Sequence, residues 1–290
     1  MVDFLDQKIF GYAEVVFWNL ENGRKFSYKK LMGPRRRFIP HNMLLGFCST
    51  FKRNRYIRIS WDRARNRFSA IFSMKGDEAR PTVNAAFIAH YSEESMNETL
   101  TVVPAPTKRR CAATFFATPK IHGSLSVEEN GVTLPSSMKD ADGEALLSIS
   151  RMYYAFERKQ ELATASGILE GDEKKRLSFT LTALPAGQVD ANSLNPNFLF
   201  IDGKCTPLPP VVITHTKGLA KQWIIQDYEN MVDLTFTPKG HHFRDISFVI
   251  MHSRTNTLYG TFEGVLKTKD GETIALHDFL GIVRSQSLRS

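Results

Sequence analysis

Apolar and polar positions alternate with a period of two over most of the chain. Phe68, Ala70, Phe72 and Met74 alternate with Ser69, Ile71 and Ser73. Leu177, Phe179 and Leu181 alternate with Ser178, Thr180 and Thr182, and Val232, Leu234 and Phe236 alternate with Asp233 and Thr235. Leu258, Gly260, Phe262, Gly264 and Leu266 share one face. Successive strand residues point to opposite faces, so this period marks half-buried β-strands. The breaks are turn chemistry: Asn22-Gly23, Lys75-Gly76-Asp77, Asn130-Gly131, Asp142-Gly143, Asp202-Gly203 and Asp270-Gly271 tolerate positive φ. The clearest hairpin runs Thr257–Thr268, turns through Lys269-Asp270-Gly271-Glu272 and returns over Thr273–Val283. Helical spacing is scarce, and Tyr154–Ala165 fits helix and strand alike. Short strands parted by tight turns predict an all-β sandwich or barrel.

The segment Glu128–Gly143, with Asn130-Gly131, Pro135-Ser136-Ser137 and Asp140-Ala141-Asp142, is the best linker. It predicts two β domains, residues 1–135 and 136–290. Pro185–Asn197 reads as a loop inserted between strands. With 290 residues, 42% of them hydrophobic and 11% aromatic, the chain can bury a sizeable core, so disorder is not expected. No apolar run reaches the roughly 18 residues of a membrane helix. Met1–Phe10 carries Asp3, Asp6 and Lys8 and has no signal-peptide core, so a cytoplasmic location is expected. Cys48, Cys111 and Cys205 are odd in number and far apart, which argues for packing residues rather than a disulfide framework or thiolate zinc site.

Charge adds one feature. The net charge is +8, and between Lys30 and Arg67 eleven Lys/Arg face a single acid, Asp62. Within that span, Phe51–Trp61 interleaves cations with aromatic rings, as single-strand-binding surfaces do. An exposed strand face beside a buried one produces the same text, and no nucleic-acid module accompanies it, so nucleic acid is disfavoured as a partner. Catalytic templates fail: there is no Gly-rich phosphate loop, no GxSxG and no HExxH. His241-His242 is the one imidazole pair; on a strand the two face opposite ways and could hardly share a metal, in a loop they could, and no metal or cofactor is expected. Arg151-Met152-Tyr153-Tyr154-Ala155-Phe156 sets a cation beside three rings, which suits a ligand at a barrel mouth or an aromatic core edge.

Several segments together resemble a bacterial family, the domain of unknown function 2804. They are Asn197-Phe198-Leu199-Phe200-Ile201-Asp202-Gly203-Lys204, Trp223-Ile224-Ile225, Val232–Pro238, and Tyr259–Gly264 running into Gly281. Arg151–Tyr154 and Gly11–Phe17 extend the likeness over nearly the whole chain. The family is similar in outline to lipocalin-like two-barrel proteins such as carotenoid hydratases, tocopherol cyclases and a lipid-linked yeast survival factor. The resemblance implies two lipocalin-like antiparallel barrel or sandwich domains in tandem and an apolar ligand. Relatives carry an extra N-terminal segment, so the first domain is expected to lack its first strands. Asn195-Pro196-Asn197 stands where an Asn-Glu-Asn run is expected, and no Trp lies between Ser178 and Leu194. Both departures count against catalysis.

The first functional expectation is therefore a binding protein for a hydrophobic small molecule, a lipid or isoprenoid, with Arg151, Tyr153, Tyr154 and Trp223 as ligand contacts. A rival is a hydratase or cyclase acting on an alkene. It needs an acid kept protonated by an apolar setting; Asp233 and Glu263, each inside an apolar strand, are the candidates, although alternation turns both toward solvent. A third reading is an anionic or nucleic-acid partner for residues 30–67. Finally, a missing first strand would leave Ile9–Trp18 as an open edge through which the chain self-associates.

Overall fold

The structure is a computed structural model that describes residues 1–7, 10–20, 22–33, 39–52, 54–90, 97–104, 111–152, 157–169, 174–183, 195–216, 218–249 and 251–289. Among these residues there is no helix. The first strands are β1 (Val2–Gln7), β2 (Phe10–Trp18), β3 (Lys25–Met32), β4 (Leu45–Lys52), β5 (Arg55–Asp62), β6 (Arg67–Met74) and β7 (Thr82–His90). There follow β8 (Asn97–Pro104), β9 (Cys111–Thr118), β10 (Lys120–Glu129), β11 (Val132–Thr133), β12 (Met138–Glu144) and β13 (Leu147–Met152). The C-terminal part holds β14 (Glu157–Leu169), β15 (Lys175–Ala183), β16 (Phe198–Ile201), β17 (Lys204–Pro207), β18 (Val211–Thr214) and β19 (Trp223–Asp227). Three long strands end the chain: β20 (Val232–Phe248), β21 (Met251–Lys267) and β22 (Thr273–Arg289). The segment that fitted both helix and strand is, from Glu157 onward, strand β14.

The strands form two compact units. The first comprises residues 1–96 and 119–145, the second 97–118 and 146–290. The boundaries differ from a single cut at 135/136 because pairing follows the strands and not the linker. β10 returns to β7 in the first unit, while β9 pairs with β8 and β13 in the second. In the first unit the sheet β1-β2-β3 and the sheet β11-β10-β7-β6-β5-β4 share a core. Ala13, Val15, Tyr28, Ile57, Phe72, Met74, Val83 and Val127 fill it. The alternation that marked Phe68–Met74 in the sequence is the inward row of β6.

In the second unit nine strands form one sheet in the order β17-β16-β15-β14-β22-β21-β20-β19-β18. The sheet curls until β18 lies against β15. Its interior is solid: Phe179, Leu181, Trp223, Leu234, Phe236 and Phe262 are all completely buried. Asn197 latches the curl. It accepts a hydrogen bond from Thr182 N at 2.7 Å and donates one to Pro209 O at 2.9 Å, tying the end of β15 to the start of β18. The family-like run around Asn197 therefore has a structural role.

The open edge expected at Ile9–Trp18 is corrected in place by the pairing: it lies one strand outward, at β1, the end of the order β1-β2-β3. β2 lies between β1 and β3, and Val2–Gln7 pair with Val15–Phe10. The amino group of Met1 also donates to Val16 O at 2.8 Å. Phe10–Val16 are buried, so this strand has no free edge to offer a second chain.

Tyr28 yields a test of the first unit. Its side chain is 1% exposed, and its hydroxyl donates to Pro81 O. Burial, partly offset by Arg80, pushes its pKa up to about 12. A phenol held protonated in the fold but ionised at about pH 10 when unfolded loses its stabilising effect as pH rises through that interval. Tyr28→Phe is expected to cost about 1–2 kcal/mol near neutral pH through the lost buried hydrogen bond. Urea denaturation of both proteins should show this gap narrowing between about pH 10 and pH 12. A gap that widens there would contradict the assignment.

Candidate functional site

A one-residue bulge organises the second unit. Lys239 is extra in β20: Pro238 pairs with Gly260, and Gly240 already pairs with Tyr259. Proline has no N–H to give a ladder and belongs at such a place. Because side chains alternate, one extra residue turns the rest of the strand over. Before the bulge Val232, Leu234 and Phe236 point into the core; after it, His242, Arg244 and Ile246 are the buried residues, and they lie on the opposite face. The sheet thus has two faces of interest beyond its core.

On the interior face, past the bulge, the row is Phe243, Asn256, Ser285 and Glu161. This is the mouth of the barrel. Glu161 Oε1 is 2.7 Å from His215 Nε2, with both side chains about one quarter exposed. His215 rests on Trp223, ring centroids 4.6 Å apart, and the Trp223 indole N–H donates to Leu219 O at 2.7 Å. Nearby His241 Nε2 lies 2.9 Å from Asn256 Oδ1. The floor is the apolar row Leu258, Val283, Ala163 and Leu181, completely buried. A carboxylate and an imidazole in contact can hold and pass a proton, and they stand over an apolar floor. Glu161 and His215 are 54 residues apart in the chain, which is why sequence reasoning missed the pair.

The reverse face is polar and largely buried. One row is His242, Thr257, Arg284, Leu162 and Thr182; the next is Arg244, Thr255, Gln286 and Gln160; the last is Ile246, Ser253, Leu288 and Arg158. Near β15 the small sheet β13-β9-β8 covers this face: Asn97 donates to Ser178 Oγ at 2.8 Å, and Arg176 donates to Thr118 O.

The structure places the sequence-derived candidates as follows. Asp233 is exposed and accepts a hydrogen bond from Gln226 Nε2 at 2.9 Å. Glu263 is also exposed, on the outer side of a bulge opposite Phe279–Leu276. Neither carboxyl has the apolar surroundings that alkene protonation requires. Arg151 is half-buried on β13, paired with Ala113. Tyr153 and Tyr154 lie outside the described residues. Trp223 is a fully buried core side chain beneath His215. His241 is exposed and His242 buried, on opposite faces of β20, and no three His, Cys, Asp or Glu converge on a metal position among the described residues.

Of the basic stretch, Leu45–Lys52 and Arg55–Asp62 form the paired strands β4 and β5, while Arg35, Arg36, Arg37 and Arg53 lie outside the described residues. Phe47 and Phe51 are exposed on the outer face of this pair, and the Arg58 guanidinium stands 5.0 Å over the Phe47 ring. Lys30 Nζ donates to Phe51 O at 2.7 Å. Beside it Tyr28, Lys30, Thr50, Arg55 and Met74 line a cleft of about 10 Å³, room for one water. No helix among the described residues is long and apolar enough to cross a membrane.

A family model described as Domain of unknown function (DUF2804) matches residues 1–289. No curated protein sequence matches the chain. The crystal structure of kievitone hydratase from Nectria haematococca is similar to it, with a TM-score of 0.52 and 9% sequence identity, over 99% of this chain and 82% of that one. At that identity the likeness is one of fold, and the fold is all-β and lipocalin-like.

Proposed function

The chain belongs to the DUF2804 family, and within its lipocalin-like fold we propose that it binds a hydrophobic small molecule, a lipid or isoprenoid, at the barrel mouth of the second unit. The observation that carries this reading is the Glu161–His215 pair at 2.7 Å above an apolar floor. Small-molecule sites combine an apolar surface with a few placed polar groups that orient the ligand, and barrel mouths are frequent hosts. The molecule sits above this floor against the exposed ring of Phe243, with a hydroxyl or carbonyl toward Glu161 and His215. Arg151, Tyr153 and Tyr154, the contacts expected from the sequence, are not counted in this mouth: Arg151 belongs to β13 in the small sheet, and the two tyrosines lie outside the described residues. Purified protein extracted with organic solvent is expected to release one apolar species, identified by mass spectrometry. Glu161→Ala should lower its recovery about tenfold, the scale of one lost polar contact. Protein that is always recovered empty and binds no apolar probe would end this reading.

The Glu161–His215 pair also favours a second reading, a hydratase acting on an alkene, and the fold likeness to kievitone hydratase supports it. Here the carboxyl or imidazolium donates a proton to one alkene carbon, water adds its oxygen to the other, and the proton that water loses returns to the pair. Incubation of candidate alkenes in labelled water tests this. Turnover should fall at least about 100-fold in Glu161→Gln, the usual range for a general acid or base. Label incorporation that is equal in both proteins rules out the pair as its source.

A further inference from the structure

We propose a second site, on the reverse face of the same sheet at its β14 end, that binds an organic anion through Arg158. The guanidinium is half-buried and its Nη2 donates to Gln160 Oε1 at 3.1 Å. Its Nη1 is sealed from solvent and meets no hydrogen-bond acceptor among the described residues. Among the described residues no salt bridge neutralises it, and the two nearest rows hold no carboxylate: Ile246, Ser253 and Leu288 in its own, Arg244, Thr255, Gln286 and Gln160 in the next. Burial alone pushes Arg158 below its ordinary pKa. A desolvated cation without a counter-charge is expensive, and proteins pair it or do without it.

A second, independent group points to the same place. Ser253 is completely buried in the same row, and its hydroxyl has no hydrogen-bond partner among the described residues. A structural row would satisfy that hydroxyl. An anionic oxygen would accept from the guanidinium fork, and a charge-assisted bond of this kind is among the stronger ones available. Ile246 and Leu288, both buried in the row, supply apolar contact for the rest of the molecule. That combination selects a carboxylate or phosphate ester with an apolar body over an inorganic ion. Access is from the end of the sheet, because Arg158 is the second residue of β14 and Leu288 the penultimate one of β22.

The test compares decanoate, decyl phosphate, inorganic phosphate and decanol, measured by calorimetry and by thermal shift on wild-type protein and on Arg158→Met. The two organic anions should raise the wild-type Tm and bind at least about tenfold more tightly than decanol or inorganic phosphate. Arg158→Met should lose that preference and, without ligand, melt no lower than wild type, because the burial cost of an unpaired charge is gone. Whichever of the carboxylate and the phosphate ester binds more tightly identifies the head group. Equal binding of decanoate and decanol overturns the anion site and leaves the barrel-mouth reading standing. A variant that melts lower than wild type and keeps its anion affinity assigns Arg158 a structural role and also overturns the site. Inorganic phosphate that binds as tightly as the esters overturns the organic class.

Discussion

Trp223→Ala is expected to destabilise the protein by about 3–5 kcal/mol, the range for truncating a large buried aromatic side chain. Trp223 is 0% exposed and sits in the core with Phe236, Phe262 and Phe179. Its neighbour in the ladder is Phe236, whose ring packs on Phe262 at 4.8 Å, and Phe262 in turn meets Phe179 edge-on at 5.1 Å. Removal of the indole leaves a void in the middle of this chain of rings. It also removes the support of His215, so the mouth loses its geometry along with the core. Urea unfolding checks the first effect, and ligand recovery checks the second. Trp223→Phe retains most of the volume but drops the bond to Leu219 O, and should cost much less. A Trp223→Ala protein that unfolds like wild type while losing ligand would mean that the indole serves the ligand alone.

The all-β class was legible because period two is carried by long runs whose inner members are large. Leu177, Phe179 and Leu181 have no other plausible reading, and the Thr257–Val283 hairpin declared its turn through Asp270-Gly271. The edge at Ile9–Trp18 was misread for a local reason. Val2–Gln7 carries Asp3, Asp6 and Gln7 and does not look like a strand, yet it pairs residue by residue with β2. The division into units was hidden because β8 and β9 precede the linker but build the second unit, and sequence order says nothing of such a return. Glu161 and His215 carry no motif, since the curl of the sheet alone brings β14 to the end of β18. Glu161 also falls inside the segment that fitted helix and strand alike, and a helix reading would have put it on another face.

Gly260→Ala is expected to cost about 3 kcal/mol, the upper end of the range for overpacking a filled interior. Gly260 pairs with Pro238 at the bulge and shares its face with Leu258 and Phe262. A Cβ there would stand 2.1 Å from Thr237 O and 2.8 Å from Phe236 Cζ. The first of these is backbone and cannot rotate away, so β20 and β21 must part to admit it. Lys239 itself is dispensable to this fit. Its deletion keeps Pro238 opposite Gly260 and Gly240 opposite Tyr259, so His242, Arg244 and Ile246 stay on the reverse face. Lys239→Ala removes only an exposed side chain 3.6 Å from Asp278 and should change stability by no more than about 0.5 kcal/mol. Hydrogen exchange separates the two effects. In Gly260→Ala, protection should fall over 236–240 and 258–262 and persist over 177–181, where the core is untouched. Wild-type stability and protection in Gly260→Ala would mean that the two strands part there at no cost, and that the close fit does not set their register.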